Sequence, residues 1–450
     1  MTVQLTKVEN TYATAFREVK QVRGAGEPDW LQRLREDSFD RFERGGFPSV
    51  AEEEWKYTNV SAIAKAGFAP VLTSNGTSLS KTNGLAAFVY DEARESRLVF
   101  VNGMLRRDLS SLEALAAGVL AMGLDEALQT SEHEAIVRER LEQYSDAAEN
   151  GFAALNTALF SGGLFLRIPR GLRVETPIHL LFVCESGSGI PAPAAFPRVF
   201  VVAEENSDAT VIESYSSPND GLYLTNAIVD IVLNEGARLR HYKVQRESAE
   251  AFHVATTRAE LGPNATYDTT TINFGAALSR HNIDVLMDHE GAECFVDGLY
   301  MVEGSQHTDT HSVIDHRQPH CTSHQLYKGI LDGNSRAVFN GKVFVRHGAQ
   351  QTDAQQTNKN LLLSNEAQVD TKPQLEIFAD DVKCTHGAAI GQLDEEEMFY
   401  LESRGLNRAL ARNMLTYGFA EEVIEKIKIE SIKRELDAAV LNRLGAQLEV

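Results

Sequence analysis

The sequence is poor in cysteine, in net positive charge and in long apolar runs, and each shortage excludes a class of protein. Its four cysteines, Cys184, Cys294, Cys321 and Cys384, are widely spaced and form no C-x-x-C pair. That excludes a disulfide framework and predicts reduced thiols in a cytoplasmic compartment. Lys and Arg number 43 against 64 Asp and Glu, a formal net charge of −21. Nucleic acids and anionic membranes both need a cationic face, so neither is an expected partner. No run of 18 apolar residues occurs, so no membrane-spanning helix is expected. Met1 to Asn10 has neither the basic start nor the apolar stretch of a secretory signal, which also leads us to expect a cytoplasmic chain.

Several catalytic motifs are missing too. Gly341-Lys342 is followed by Val343 and has no upstream glycine, so it is not the loop that cradles nucleotide phosphates. Gly24-Ala25-Gly26 and Gly187-Ser188-Gly189 lack the third glycine of a dinucleotide loop. Neither H-E-x-x-H nor G-x-S-x-G is found. Together these gaps argue against a standard hydrolase or dehydrogenase.

What is present changes texture along the chain. The first ~45 residues have the 3.6-residue apolar spacing of helices. Pro28 suits a first-turn position; Trp30, Leu31, Leu34 and Phe42 form a stripe, and Gly45-Gly46 can end it. A polar stretch follows from Thr73 to Gly84. Leu98 to Val101 is then a short β run closed by the turn dipeptide Asn102-Gly103. Residues 111–147 again look helical. From Gly162, short β-branched or aromatic runs alternate with turns. A turn cluster, an alanine and an alternating strand recur at Ala209, Ala237, Ala265 and Ala292, at intervals of 28, 28 and 27 residues. The pattern returns at Ala337 and Ala367 after 45 and 30 residues, and the longer gap has room for an insertion. A fixed period near 28 predicts the stacked coils of a β-solenoid, with an antiparallel sandwich as the alternative. Asp394 followed by three glutamates is a helix start. Leu406 to Tyr417 predicts a second helix stopped by Gly418. Val423, Ile424, Ile427, Ile432, Leu436, Val440 and Leu444 trace the stripe of a third. The expected organisation is a mainly helical region over 1–150, a β core over 151–393 and a helical domain over 394–450.

Two constellations carry chemistry. His307, His311, His316, His320 and His324 fall close together with Cys321 among them. In an extended strand His316, His320 and His324 would share a face, so imidazole and thiolate could hold zinc or iron. The alternative is a set of polar residues on a solvated sheet face. As a metal-dependent enzyme such a site would also need carboxylates, for which Glu303, Asp309 and Asp315 are the candidates. Cys384-Thr385-His386 places a soft thiolate one residue from an imidazole in what reads as a Gly-rich turn, with Gly387 and Gly391. Residues i and i+2 of an extended chain face the same way, so both could reach one metal or sulfur centre. Two ligands do not close a site, which usually takes four. A buried apolar cysteine beside a histidine that caps the next helix is the other reading.

The segment Asp380-Asp381-Val382-Lys383-Cys384-Thr385-His386-Gly387-Ala388-Ala389-Ile390-Gly391-Gln392-Leu393-Asp394 resembles the C-terminal signature of the SufB/SufD family of iron–sulfur cluster assembly proteins. The resemblance extends to Glu54-Trp55-Lys56-Tyr57-Thr58, to residues 151–160 with Phe152–Ala158 among them, to Tyr327–Leu331, to Gln355–Leu363, and to Arg404-Gly405 with Leu406–Gly418. In the SufB branch a Glu follows the histidine. Gly387 stands there in this chain, which points to the SufD branch. The resemblance implies a mainly β protein with a right-handed parallel β-helix core and α-helical N-terminal and C-terminal regions. It implies a non-enzymatic scaffold that pairs with SufB through the β-helix and docks the SufC ATPase through its C-terminal helices. It further implies a role in iron acquisition, and a transient cluster or iron at the SufB interface, with His386 and then Cys384 as ligands and nothing bound stably by the isolated chain. A homodimer through the same β edge is a further expectation for the chain alone.

Overall fold

The computed structural model describes residues 8–24, 26–73, 79, 84–145, 150–186 and 192–443. Leu444, Gly187–Gly189 and most of the Thr73–Gly84 stretch lie outside the described residues. Helices α1 (Val8–Arg23) and α2 (Asp29–Gly45) form where the apolar spacing predicts them. Pro28 sits one place earlier than expected, as the extended residue before α2, and Gly46 ends the helix at φ 67°. Asn102 (φ 49°) and Gly103 (φ 84°) close the antiparallel hairpin of Arg97–Val101 with Met104–Leu105, as the dipeptide requires.

Residues 111–147 are only partly helical, contrary to expectation. They contain a strand at Leu120–Gly123 before α4 (Leu124–Ala127) and α5 (Ser131–Ser145). That strand pairs with Gly163–Ile168, and this tertiary pairing overrides local helix preference. Helix α6 (Gly151–Leu159) follows, capped by Asn150, whose side chain accepts from Phe152 and Ala153 N–H.

The rest is a parallel solenoid of two facing sheets. The first holds β1 (Gly163–Ile168), β3 (Arg198–Ala203), β5 (Leu224–Leu233), β7 (Phe252–Leu261), β9 (Leu278–Met287), β11 (His307–His316), β13 (Arg336–Val345) and β15 (Gln368–Ile377). The second holds β2 (Ile178–Val183), β4 (Asp208–Ser216), β6 (Arg238–Arg246), β8 (Thr266–Asn273), β10 (Glu293–Val302), β12 (Thr322–Leu331), β14 (Thr352–Leu362) and β16 (Val382–Gly391). Odd strands therefore stack on odd, and even on even. The hairpin strand Arg97–Val101 extends the second sheet beside β2.

The corner before each even strand explains the coil. Asn206, Gly236, Asn264, Gly291, His320 and Gln351 all take positive φ there. Each donates its backbone N–H to the next coil, as from Asn206 to Glu235 O (2.9 Å) and from His320 to Gln350 O (3.0 Å). At Gly291 an added Cβ would lie 2.4 Å from Asn264 Oδ1, so only glycine fits against the asparagine below. Ala237, Ala265 and Ala292 each follow this corner and are fully buried. Cys321 fills the same place in the next coil, while Ala337 and Ala367 belong to the first sheet. The 45-residue gap is thus no insertion; the alanine has moved to the other sheet.

Both outer faces are covered. Trp55, Phe152 and Leu155 pack on Leu224, Val254 and Leu278 of the first sheet. At the other end α7 (Glu395–Ser403) is capped by Asp394, which accepts from Glu396 N–H at 2.7 Å. Helix α8 (Arg408–Ile424) runs through Gly418, which does not stop it, and α9 (Glu430–Arg443) follows. Val423 and Ile424 end α8 rather than opening the third helix. With Ile427, Ile432, Leu436 and Val440 they lie on Tyr242, Val244, Ile272 and Leu299 of the second sheet. Lys426 Nζ reaches Asp297 Oδ2 at 2.7 Å beneath them. Each such buried side chain contributes about 1.5–3 kcal/mol, so α8 and α9 are an integral cover for the solenoid.

Candidate functional site

Side chains alternate along a strand, so every second residue of an even strand faces the solenoid interior. Parallel register then stacks these residues into columns. One column runs Ala209, Leu239, Tyr267, Cys294, Ser323, Ala354, Cys384. The next runs Val211, His241, Thr269, Val296, Gln325, Gln356, His386. Cys384 and His386 are therefore neighbours on the inner face of β16. They lie in a regular strand, not in the turn expected from Gly387 and Gly391. An edge strand tolerates those glycines because no further coil packs on it.

The solenoid is open at this end. Among the described residues β15 pairs only with β13 and β16 only with β14, so each last strand presents a free edge. Ile377, Phe378 and Ile390 are exposed there, Ile390 to 49%. His386 is exposed. Cys384 is half-buried and packs against the end of the interior core. Burial pushes its thiol pKa up, and the carboxylate of Asp353 adds to the shift. The thiol therefore stays protonated at neutral pH, and a metal must displace that proton to bind sulfur.

The histidine cluster does not converge. His316 ends β11 inside the solenoid, with Nε2 2.8 Å from Ser323 Oγ, and burial lowers its pKa to about 4. His320 occupies a left-handed corner. His324 lies on the outer face of the other sheet, edge-on to Phe295. His307 and His311 point outward from β11 to the N-terminal segment. His307 Nε2 is 2.9 Å from Thr58 Oγ1, while His311 contacts Glu54 Oε2 at 3.2 Å and Asp309 Oδ1 at 3.1 Å. Burial alone would lower the His311 pKa, but Asp309 and Glu54 together hold it above its usual value. Arg280 binds Asp309 at 2.7 Å and stacks 3.8 Å over Trp55. Asp315 is held by Arg317 and Arg346. Among the described residues no three His, Cys, Asp or Glu side chains are grouped to hold a metal. The shared face expected for His316, His320 and His324 fails because the corner at 317–321 separates two sheets.

Strand reasoning missed a charged cluster inside the solenoid. His241 Nε2 is 2.8 Å from Glu213 Oε2 and its Nδ1 is 3.0 Å from Tyr267 OH. Lys243 Nζ donates to His253 Nε2 at 2.9 Å, and His253 Nδ1 is 2.8 Å from Glu247 Oε2. All are buried. Burial would raise the Glu213 pKa, but His241 and Lys243 outweigh it and bring it to about 2. The available signal was charge at inward positions of β4 and β6, where a dry core would be apolar. A second missed feature is the exposed apolar surface of Phe399 (70%), Tyr400 and Met414 on α7 and α8.

The fold defines a class: a parallel β-solenoid, flanked by helices and open at its C-terminal end. Residues 183–419 match the family model described as SUF system FeS cluster assembly, SufBD core domain, and residues 6–180 match the SufBD protein N-terminal region. An iron–sulfur cluster assembly SufBD family protein of Synechocystis is 36% identical over 95% of this chain and 94% of its own. The iron–sulfur cluster assembly protein SufD of Escherichia coli is 33% identical over 90% of both chains. The chloroplastic protein ABCI7 of Arabidopsis thaliana is 31% identical over 90% of this chain and 84% of its own. The chain belongs to the SufBD family of iron–sulfur cluster assembly proteins and is SufD-like. Among the described residues no helix is long and apolar enough to cross a membrane.

Proposed function

We propose that the chain is the SufD-type, non-catalytic subunit of a cytoplasmic SUF complex, and that its open end completes a cluster-assembly site with a SufB-type partner. The observation that carries this reading is the last coil. It combines two free parallel edges, exposed apolar side chains and two side chains able to ligate metal on one face. A free edge is a template for pairing with another chain, and apolar residues beside it favour covering. A two-ligand site needs further ligands, which a partner strand laid along β16 supplies. Iron or a nascent cluster is the cargo. His386 is the primary ligand, because it is exposed and needs no repacking. Cys384 is secondary, because its thiol must first lose a proton. The isolated chain holds no cluster stably, and without SufB the same edges accept a second copy.

The C-terminal helices serve the ATPase SufC. Phe399 and Tyr400 of α7 and Met414 of α8 are exposed apolar side chains outside the cluster that covers the second sheet. Because α8 and α9 also cover the second sheet, deleting residues 395–450 would damage the β body. Point variants at Phe399 are the sounder probe.

Co-expression of the chain with SufB and SufC, followed by iron and sulfide analysis of the purified complex, tests the proposal. His386→Ala is expected to lower cluster content at least about tenfold, with complex assembly unchanged. Unchanged loading would remove His386 from the site.

A further inference from the structure

Below His386 the interior holds a directed run of hydrogen bonds. Gln325 on β12 donates from Nε2 to Ser312 Oγ of β11 at 2.8 Å. Gln356 on β14 donates from Nε2 to Gln325 Oε1, also at 2.8 Å. Ser312 Oγ also lies 3.3 Å from Gln325 Oε1, so Gln325 is tied across to the facing sheet, while Gln356 gives an N–H down to the covered rung. Gln356 keeps one further N–H and its Oε1, and the Oε1 is the atom without a partner among the described residues. That oxygen is buried, on a side chain 1% exposed. An unmet buried acceptor costs about 1–3 kcal/mol, so its retention calls for a reason. The next rung, one strand spacing of about 4.8 Å away, carries His386 in register with Gln356.

The facing sheet makes room for this carboxamide. Gly341 stands mid-strand in β13, where glycine weakens a strand. A Cβ there would lie 2.4 Å from Gln356 Nε2 and 2.9 Å from its Cδ. Any other residue would push the carboxamide out of line.

We infer that Gln356 is a positioning residue for His386: its Oε1, unpartnered in this structure, accepts the imidazole N–H when the ring turns over it and so fixes which ring nitrogen carries the proton. The other ring nitrogen then presents its lone pair outward, at the open edge, to a metal such as iron. A ligating histidine needs such a partner on its second nitrogen to set tautomer and ring orientation. The purpose assigned to the hydrogen bond rests on the reading of His386 as a ligand, but the bond itself can be measured without any cluster.

The experiment is 15N NMR of the full-length chain labelled at the histidine rings, in alkaline buffer, with His386→Gln assigning the signal. One dominant His386 tautomer is expected in the unaltered chain. Gln356→Leu, which keeps size but removes the acceptor, is expected to give a tautomer mixture. Gly341→Ala should do the same by displacing the carboxamide, whereas Gln356→Glu should restore a single form. Circular dichroism checks that each variant folds. In the complex with SufB and SufC, Gln356→Leu should lower cluster content about tenfold. An identical tautomer ratio in the unaltered chain and in Gln356→Leu overturns the inference. If that ratio is identical while His386→Ala still abolishes loading, only the positioning role fails. If the ratio changes while His386→Ala loads normally, the hydrogen bond stands and the ligand reading fails.

Discussion

His241 and His386 stand in the same inner column of the solenoid, five rungs apart, yet their surroundings are opposite. His241 is buried between coils and bonded on both ring nitrogens, to Glu213 and to Tyr267. His386 stands on the last rung and is exposed. Cys294 and Cys384 repeat the contrast in the adjacent column. Burial drives the Cys294 thiol pKa far up, while Cys384 is only half-buried. Residue type and strand position are the same in each pair. What differs is whether another coil lies above. In this fold coverage, not residue identity, separates a structural group from one able to receive cargo.

The sharpest way to break that contrast is inside. Lys243→Met removes the cation that lies among Glu213, His253 and Glu247, leaving buried carboxylates with less compensation. Breaking a buried ion pair from one side costs about 3–5 kcal/mol. A drop of that size is expected in denaturant unfolding, and a loss below about 1 kcal/mol would mean that the interior is hydrated enough to screen the charge.

A smaller effect separates the two faces of β11 by pH. His316 faces inward with its pKa lowered from 6.5 to about 4, and buried His179 is lowered to about 3. Both fold as neutral imidazoles, so the unfolded chain binds more protons in acid. Their contribution is present above pH 6.5 and is lost as the pH falls toward 4. At 1.36 kcal/mol per unit, His316 alone accounts for about 3 kcal/mol. His311, on the outer face of the same strand, has a raised pKa and acts with the opposite sign. Its tie to Glu54 and Asp309 is strongest in mild acid and weakens as the pH rises through its folded value. Unfolding measured from pH about 7 to about 4.5 should show net loss of stability, steeper in His311→Gln and shallower in His316→Asn. Equal slopes in the two variants would contradict the assignment of faces.

Much of the fold was legible because its signals are local. Asp394 before three glutamates, Asn102-Gly103 after a β run, and short strands from Gly162 onward each state their structure within a few residues. The corner residues were not legible as a set. The same left-handed turn is filled by Asn206, Gly236, Asn264, His320 and Gln351, which share tolerance of positive φ but no identity. The alanine repeat was therefore partly misread, since it passes from one sheet to the other after Ala292. Gly418 looked like a stop, but packing of α8 on the second sheet carries the helix through it. The pairing of Cys384 with His386 was visible from i, i+2 spacing. Gln356 was not, because its place beneath His386 depends on register with a strand thirty positions further along the chain.

Hydrogen–deuterium exchange on the full chain, with and without a SufB-type partner, shows whether the last coil is the edge that the partner covers. Amides on an unpaired edge exchange quickly, and pairing slows them. The partner is expected to slow exchange along β15 and β16 and to leave β5 to β8 unchanged. Partner binding with no protection of β16 would contradict that assignment of the edge.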